Sequence, residues 1–292
     1  MKVDRLDRSQ LAAATRVLAA ACEFDRAAVV ADEKLFGDGP SGPPRAFGAW
    51  DERGSLVGVA SVAANRIRVL AVTPEARRHG IGSALLAACE AAARDAGVSR
   101  LRTLDQPGNY LAPGIDVRNL ETIAWLEKRG WAPSGEPRVN VLIDVRGNPR
   151  VSAARASELA ATAAAKGYEV RRAHPDETAL LDAVAAEFGG AWPFELARAL
   201  PDSVHVARKG GAYCAFAAHD GNNRGLGWFG PTGTWPAHRG QGLGEALLLA
   251  CLVDVAAAHA QCEIAWIGPR PFYDKVAGIA GERQFRLLEK PL

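Results

Sequence analysis

Alternating apolar positions, and apolar positions three and four apart, succeed one another along the chain in an order that occurs twice. Residues 3–6 read as a short strand, and Ser9 stands where it would cap a helix carrying Leu11, Thr15, Leu18 and Cys22 on one stripe. A second helix is expected over 25–35, followed by a Gly- and Pro-rich loop at 37–44. Residues 45–50, 55–64 and 66–72 read as three strands of an antiparallel meander, the first two joined through Asp51-Glu52-Arg53-Gly54. Helical spacing resumes at Ile81, Leu85, Leu86, Cys89 and Ala93 and stops at Gly97. A strand at 99–105, an irregular loop at 106–116, a helix at 119–129 and a last strand at 139–145 complete the half.

Arg146-Gly147-Asn148-Pro149 interrupts the pattern, so a boundary is expected there, with domains at 1–148 and 149–292. After an alanine-rich helix at 152–166, the first plan returns. A strand is expected at 168–172, helices at 175–188 and 193–200, and a meander at 204–208, 213–219 and 225–234. A helix then runs to about His259, followed by a strand at 262–267, a short helix at 271–278 and a closing strand at 284–289.

The length of 292 residues suits two domains, each with its own core, and 48% apolar with 23% charged residues is a globular composition. With 35 Lys and Arg against 33 Asp and Glu, the net charge of +2 gives no support to nucleic-acid binding. The most apolar run, 246–253, is far shorter than a membrane span of roughly 20 residues. The charged opening at 1–8 lacks the apolar stretch of a secretory signal, so a soluble cytoplasmic protein is expected. Cys22, Cys89, Cys214, Cys251 and Cys262 have no C-x-x-C spacing, which argues against a zinc site or a disulfide framework.

Against that plain background one stretch carries chemistry. His238-Arg239-Gly240-Gln241-Gly242-Leu243-Gly244 leads directly into an apolar helix. A helix start offers unpaired N–H groups and partial positive charge, and glycines let a phosphate approach the main chain. Adding 162 to Pro74, Arg77, Gly80 and Gly82 gives Pro236, Arg239, Gly242 and Gly244, so the turn is duplicated. The amides of Arg78, His79, Gly80, Ile81, Gly82 and Ser83, and those of Gly240, Gln241, Gly242, Leu243, Gly244 and Glu245, are placed to converge on an anion, with Arg77 or Arg239 adding charge.

These residues resemble the central motif of the GNAT N-acetyltransferase superfamily: Arg or Gln, two residues, Gly, one residue, then Gly or Ala, between a strand and a helix. Over nearly its whole length the chain is similar to a tandem GNAT protein. The resemblance implies an α+β fold of two GNAT-like domains, each a mixed, mostly antiparallel sheet flanked by helices. It also implies acetyl-CoA as cofactor, its pyrophosphate on the turn and its pantetheine along the preceding strand, at Val72 in the first half and at Thr232, Gly233 and Thr234 in the second.

A second family signature, a tyrosine in a Phe-Tyr-x-Lys pattern before a glycine, is matched by Phe272-Tyr273-Asp274-Lys275 with Gly278. The resemblance makes Tyr273 the general acid, a role that a phenol with a pKa of about 10 suits when the leaving group is a thiolate. The first half has Leu126 in that place. An asparagine seven residues earlier, frequent in the family, is kept as Asn119 in the first half but replaced by Trp266 in the second. Catalysis is therefore expected in the second half, beside a degenerate first half that binds CoA without turnover or shapes the acceptor site.

Transfer to an amine needs a neutral nitrogen, a polarised carbonyl and a proton for the leaving thiolate. The superfamily assigns the second task to a backbone amide within 231–235. Glu187, Glu195, His219 and Asp220 are candidate bases, with a water chain as the alternative. No cysteine lies in a nucleophile motif, which favours direct transfer in a ternary complex. The expected partner is a small-molecule primary amine, with no metal, nucleic acid or membrane. Residues 109–114 resemble a loop of tandem bacterial acetyltransferases, some acting on amino sugars such as glucosamine, so a sugar amine stands beside aminoglycosides, polyamines and peptide or protein amines as a candidate acceptor. A CoA-binding regulatory module without turnover is the alternative function. Transfer from an aminoacyl-tRNA would require a strongly basic groove, against which the net charge argues.

Overall fold

The computed structural model describes residues 1–292. By its contacts the chain divides into two compact units, Met1–Arg138 with Gln284–Leu292, and Val139–Arg283. In chain order the first unit contains β1 (Lys2–Arg5), α1 (Leu11–Ala21), α2 (Ala31–Leu35), β2 (Arg45–Trp50), β3 (Leu56–Ala63), β4 (Arg66–Val72), α3 (Ile81–Asp95), β5 (Arg100–Thr103), β6 (Ile115–Asp116), α4 (Leu120–Glu127) and β7 (Ala132–Pro133). The second continues with β8 (Arg138–Asp144), α5 (Ala153–Ala164), β9 (Glu169–Arg172), α6 (Ala179–Phe188), α7 (Trp192–Ala199), β10 (Val204–Lys209), β11 (Ala212–His219), β12 (Trp228–Thr234), α8 (Leu243–Ala258), β13 (Gln261–Ile264) and α9 (Arg270–Ala277). β14 (Gly281–Arg286) and β15 (Leu288–Pro291) end the chain.

The first sheet runs β1-β2-β3-β4-β5-β15-β7, and the strands of the second unit run β8-β13-β12-β11-β10-β9. Both are α+β sheets, antiparallel except for one short parallel contact each, β4 with β5 and β12 with β13. The unit division therefore differs from a linear cut at 148. The strand expected to close the first half, β8, pairs with β13 through Cys262↔Ile143 and Ile264↔Val141. The expected closing strand at 284–289 is two strands, and β15 lies in the first sheet between β5 and β7. Alternation fixes which face of a strand is buried, but not which neighbour it pairs with.

Helix limits differ from expectation where caps and turns decide them. Asp7, not Ser9, caps the entry to α1, accepting from the Ser9 amide in a capping box with Gln10. Only residues 31–35 of the expected 25–35 helix are helical. Helices α3 and α8 match their stripes. Gly58 on β3 lies so close under α3 that an added Cβ would stand 2.9 Å from Leu85 Cδ1. Helix α8 buries Leu243, Leu247, Leu248, Leu249, Cys251 and Leu252, which do not fit one stripe. The reason is a second covering layer, because Ala156, Leu159 and Ala163 of the alanine-rich α5 pack into the same core.

Candidate active site

The two glycine turns have the same geometry. Gly80 and Gly242 are the N-caps of α3 and α8, at φ 80 and 87, and an added Cβ on either would meet no atom within 4 Å. The regular helical ladder starts at Ala84 N–H to Gly80 O and at Ala246 N–H to Gly242 O. No other group of the chain accepts a hydrogen bond from the amides of residues 78–83 or 240–245. Both turns thus present a row of free donors at the positive end of a long helix. The next glycine is covered by an aromatic ring from the following helix: a Cβ on Gly82 would lie 3.5 Å from Trp125, and one on Gly244 3.6 Å from Phe272.

Arg77 and Arg239 hold their turns in place. Each Nε donates to the last strand segment, to Val72 O at 3.3 Å and to Thr234 O at 3.2 Å. Ser83 and Glu245 are equivalent but face different partners. Ser83 Oγ accepts from Arg129 at 3.0 Å, whereas the Glu245 carboxylate takes Arg155 at 2.9 Å and lies 3.9 Å from Lys275 Nζ. The second turn is further braced by Lys166 donating to Gln241 O and by Tyr168 hydrogen-bonded to His238 at 3.1 Å.

Before each turn the sheet opens. Parallel pairing is confined to Arg66↔Arg102 and Ile67↔Thr103 in the first unit, and to Trp228↔Glu263 and Phe229↔Ile264 in the second. From there to Val72, and from there through Thr232, Gly233 and Thr234, one edge of the central strand has no strand partner. A bulge marks each opening. Ser61 pairs with Val69 and Val62 with Ile67, leaving Arg68 extra, and Ala217 pairs with Thr232 while His219 pairs with Phe229, leaving one extra residue at Gly230-Pro231. The 162-residue offset relates Arg68 to Gly230.

These bulge positions differ sharply. Arg68 is fully buried; its guanidinium donates to Gln106 Oε1 and to Gly37 O, between the loops at 37–44 and 106–114. Lys34, equally buried, reaches Glu33 at 2.6 Å and Asn109 Oδ1 at 2.9 Å, and Asn109 donates to Asp38 O at 2.8 Å. The 106–114 loop, with Tyr110 buried, is therefore sealed against the 37–44 loop. At Gly230 an added Cβ would meet no atom within 4 Å.

Tyr273 is 7% exposed on α9 and shares a buried cluster with Phe229 and Ile264, the last paired residues before the second opening. Burial alone, with no hydrogen-bonding or charged group acting on the hydroxyl, raises the phenol's pKa above its ordinary value. The equivalent Leu126 is buried in a cluster with Ile67 and Leu101. Asn119 caps α4, its Oδ1 accepting from the Thr122 amide at 3.4 Å, and Trp266 has φ 48 and 38% exposure.

Among the candidate bases, His219 and Asp220 belong to a network that periodicity does not reveal. His219 Nδ1 lies 3.0 Å from Asp220, and its Nε2 is 3.5 Å from Asp254, which His205 Nε2 approaches to 2.7 Å and Arg172 to 2.7 Å. Burial disfavours charge on His219, but the Asp220 hydrogen bond and the Asp254 carboxylate outweigh it and raise the pKa. Burial likewise opposes ionisation of Asp254, yet its histidine and arginine partners hold that carboxyl far below its usual range. Glu187 is exposed and Glu195 buried. Helix α6 brings Phe188, and α7 brings Trp192, onto Phe216 and Trp235, with ring centroids 5.0–6.1 Å apart. No group of His, Cys, Asp and Glu has a metal-binding arrangement, and no helix is long and apolar enough to cross a membrane.

Residues 14–131 match the model of the acetyltransferase (GNAT) family. No curated protein matches the chain. Among solved structures it resembles a GCN5-related glucosamine N-acetyltransferase region of a fungal multi-domain β-N-acetylglucosaminidase, with TM-score 0.77 and 16% identity; the match covers 99% of this chain but 38% of the fungal one. It also resembles a tandem GNAT protein from the clavulanic acid biosynthesis pathway (TM-score 0.70, 21% identity, covering 99% and 98% of the two chains). A GCN5-related N-acetyltransferase from Sphaerobacter thermophilus gives TM-score 0.68 and 18% identity over 99% and 95%. At these identities the likeness establishes the fold, that of a tandem GNAT protein.

Proposed function

Taking the chain as a tandem GNAT-fold acyltransferase whose first unit matches that family's model, we propose that the second unit acetylates a primary amine of a small molecule. The observation that carries this reading is Tyr273: a buried, protonated phenol in one packed cluster with Phe229, at the strand's opening, and Leu243, at the start of α8.

The residues fit acetyl-CoA. Free amides at 240–245 suit its phosphates, and the unpaired edge from Gly230 to Thr234 suits an extended, amide-bearing arm. When bound, acetyl-CoA supplies a thioester whose C–S bond is exchanged for a C–N bond to the amine. The chain's own share is to orient and to manage protons. Tyr273 keeps a proton on its hydroxyl at neutral pH, because burial disfavours the phenolate, and thus serves as the acid. The aromatic layer of Phe188, Trp192, Phe216 and Trp235 stiffens β11 and β12, which carry the opening. His219 is engaged with Asp220 and Asp254, so a water chain is the better candidate for taking the amine's proton.

For the first unit, Leu126 and the buried Arg68 favour cofactor binding without turnover. A small amino sugar is the first acceptor to try, given the glucosamine acetyltransferase region among the fold's relatives. The test is thiol release from acetyl-CoA with a panel of primary amines, alongside calorimetry with acetyl-CoA. Amine-dependent release supports the reading; binding with no release under any amine would leave a CoA-binding module.

A further inference from the structure

We infer that Arg68 is a built-in occupant of the first unit's acceptor position, so that this unit excludes an amine by holding a cation of its own there. The inference rests on the acetyl-transfer reading above for the word acceptor, but its core is a matter of packing. Arg68 is the bulge residue of β4, at the point where β4 and β5 part. An amine attacking an acyl group held along the open strand has to arrive at this bulge, and in the second unit the equivalent position is Gly230, with free space on its side-chain side. In the first unit a planar cation fills it.

The surroundings are built for that cation. Gln106 Oε1 and the carbonyl of Gly37 both accept from the guanidinium. Gly39 has no room for a side chain, since a Cβ there would stand 2.7 Å from an Arg68 terminal nitrogen and 3.0 Å from Gln106 Nε2. The walls are fixed independently: Asn109 ties the 106–114 loop to Gly37 O and Asp38 O, and Lys34 ties Asn109 to α2. Burial penalises a guanidinium whose hydrogen bonds are unmet, so the two oxygens that face Nε and Nη1 favour an N–H-bearing cation over a neutral group. Removing the Arg68 side chain should leave a cavity with the same preference, open to guanidinium or a short alkylammonium ion.

The experiment uses the full chain with Arg68→Gly, which copies Gly230, and Arg68→Ala beside it. Thermal unfolding is followed against millimolar guanidinium, with urea and tetramethylammonium at equal concentration as controls of shape and charge. The expected result is a saturable rise in Tm with guanidinium in both variants, absent from the unaltered protein and from the controls. Variants that fold only when guanidinium is supplied give the same answer. No saturable rescue, or variants that fold under neither condition, would overturn the inference in favour of a purely structural arginine.

A second arm tests the position. Arg68→Gly with Leu126→Tyr, in a Tyr273→Phe background, should gain amine-dependent thiol release that neither first-unit change gives alone. Rescue without this gain would make the cavity a cation site but not the acceptor position. Calorimetry with acetyl-CoA on the same proteins separates the two failures: loss of all binding counts against the acetyl-transfer reading, while guanidinium rescue is scored without it.

Discussion

Replacing Tyr273 with phenylalanine removes one oxygen from a residue that is 7% exposed and leaves its ring packing in the Phe229 and Ile264 cluster intact. Because burial alone shifts the phenol's pKa, with no hydrogen-bonding group acting on the hydroxyl, no donor or acceptor is orphaned, and stability should change by no more than about 0.5 kcal/mol. If the hydroxyl is the acid, its loss should lower kcat by roughly 10²–10⁴-fold, about 3–5 kcal/mol of barrier. The assay is thiol release at saturating acetyl-CoA with the best amine found, paired with thermal unfolding of both proteins. The pH profile adds a sign. Burial raises the phenol's pKa, so the loss of activity that Tyr273 causes on the alkaline side should lie at higher pH than the titration of a free phenol. An unchanged kcat refutes the assignment. A Tm drop of several degrees refutes the claim that the hydroxyl is structurally idle.

Four further outcomes are expected. Asp254→Asn should destabilise the second unit by about 2–4 kcal/mol, because it leaves Arg172, His205 and His219 around a neutral amide, and NMR titration should find the His219 pKa lowered. In the unaltered protein the His219 contribution is complete below its unfolded pKa and is lost as pH rises through the raised folded value, whereas that of Asp254 is lost as pH falls; opposite slopes in stability against pH check this. Burial works against ionisation of Glu177, but the Arg171 hydrogen bond and the His174 amide bring its pKa down to about 2 from 4.5, so up to about 3 kcal/mol of stability should disappear as pH falls from 4.5 through 2. Glu177→Gln should flatten that acid limb in urea titrations. Gly233→Ala places a Cβ within 2.8–2.9 Å of Phe216 and Phe188 ring atoms and should cost about 1–3 kcal/mol, with altered near-UV circular dichroism from the Trp192 and Trp235 layer. Glu245→Ser, which copies Ser83, should tighten acetyl-CoA binding at the second turn about tenfold by calorimetry, and Ser83→Glu should weaken it at the first by a similar factor.

By itself the sequence determined the duplicated plan, the two glycine turns and the exchange of tyrosine for leucine between the halves. These are local: periodicity sets helix or strand, and a glycine turn before an apolar helix is a property of about ten residues. The pairing of β8 and β15 was decided by tertiary structure, because an alternating strand fits any open edge of matching face. Tertiary structure alone also turned Arg68 inward. Next to Ile67 and Val69 in the sequence it reads as one more outward polar residue, and only the bulge on β4 and the two loops closing over it make it a buried cation. The His205, His219 and Asp254 network has the same origin. Its members come from two strands and a helix, and a charge is retained in a core only where distant partners converge on it, which no local pattern encodes.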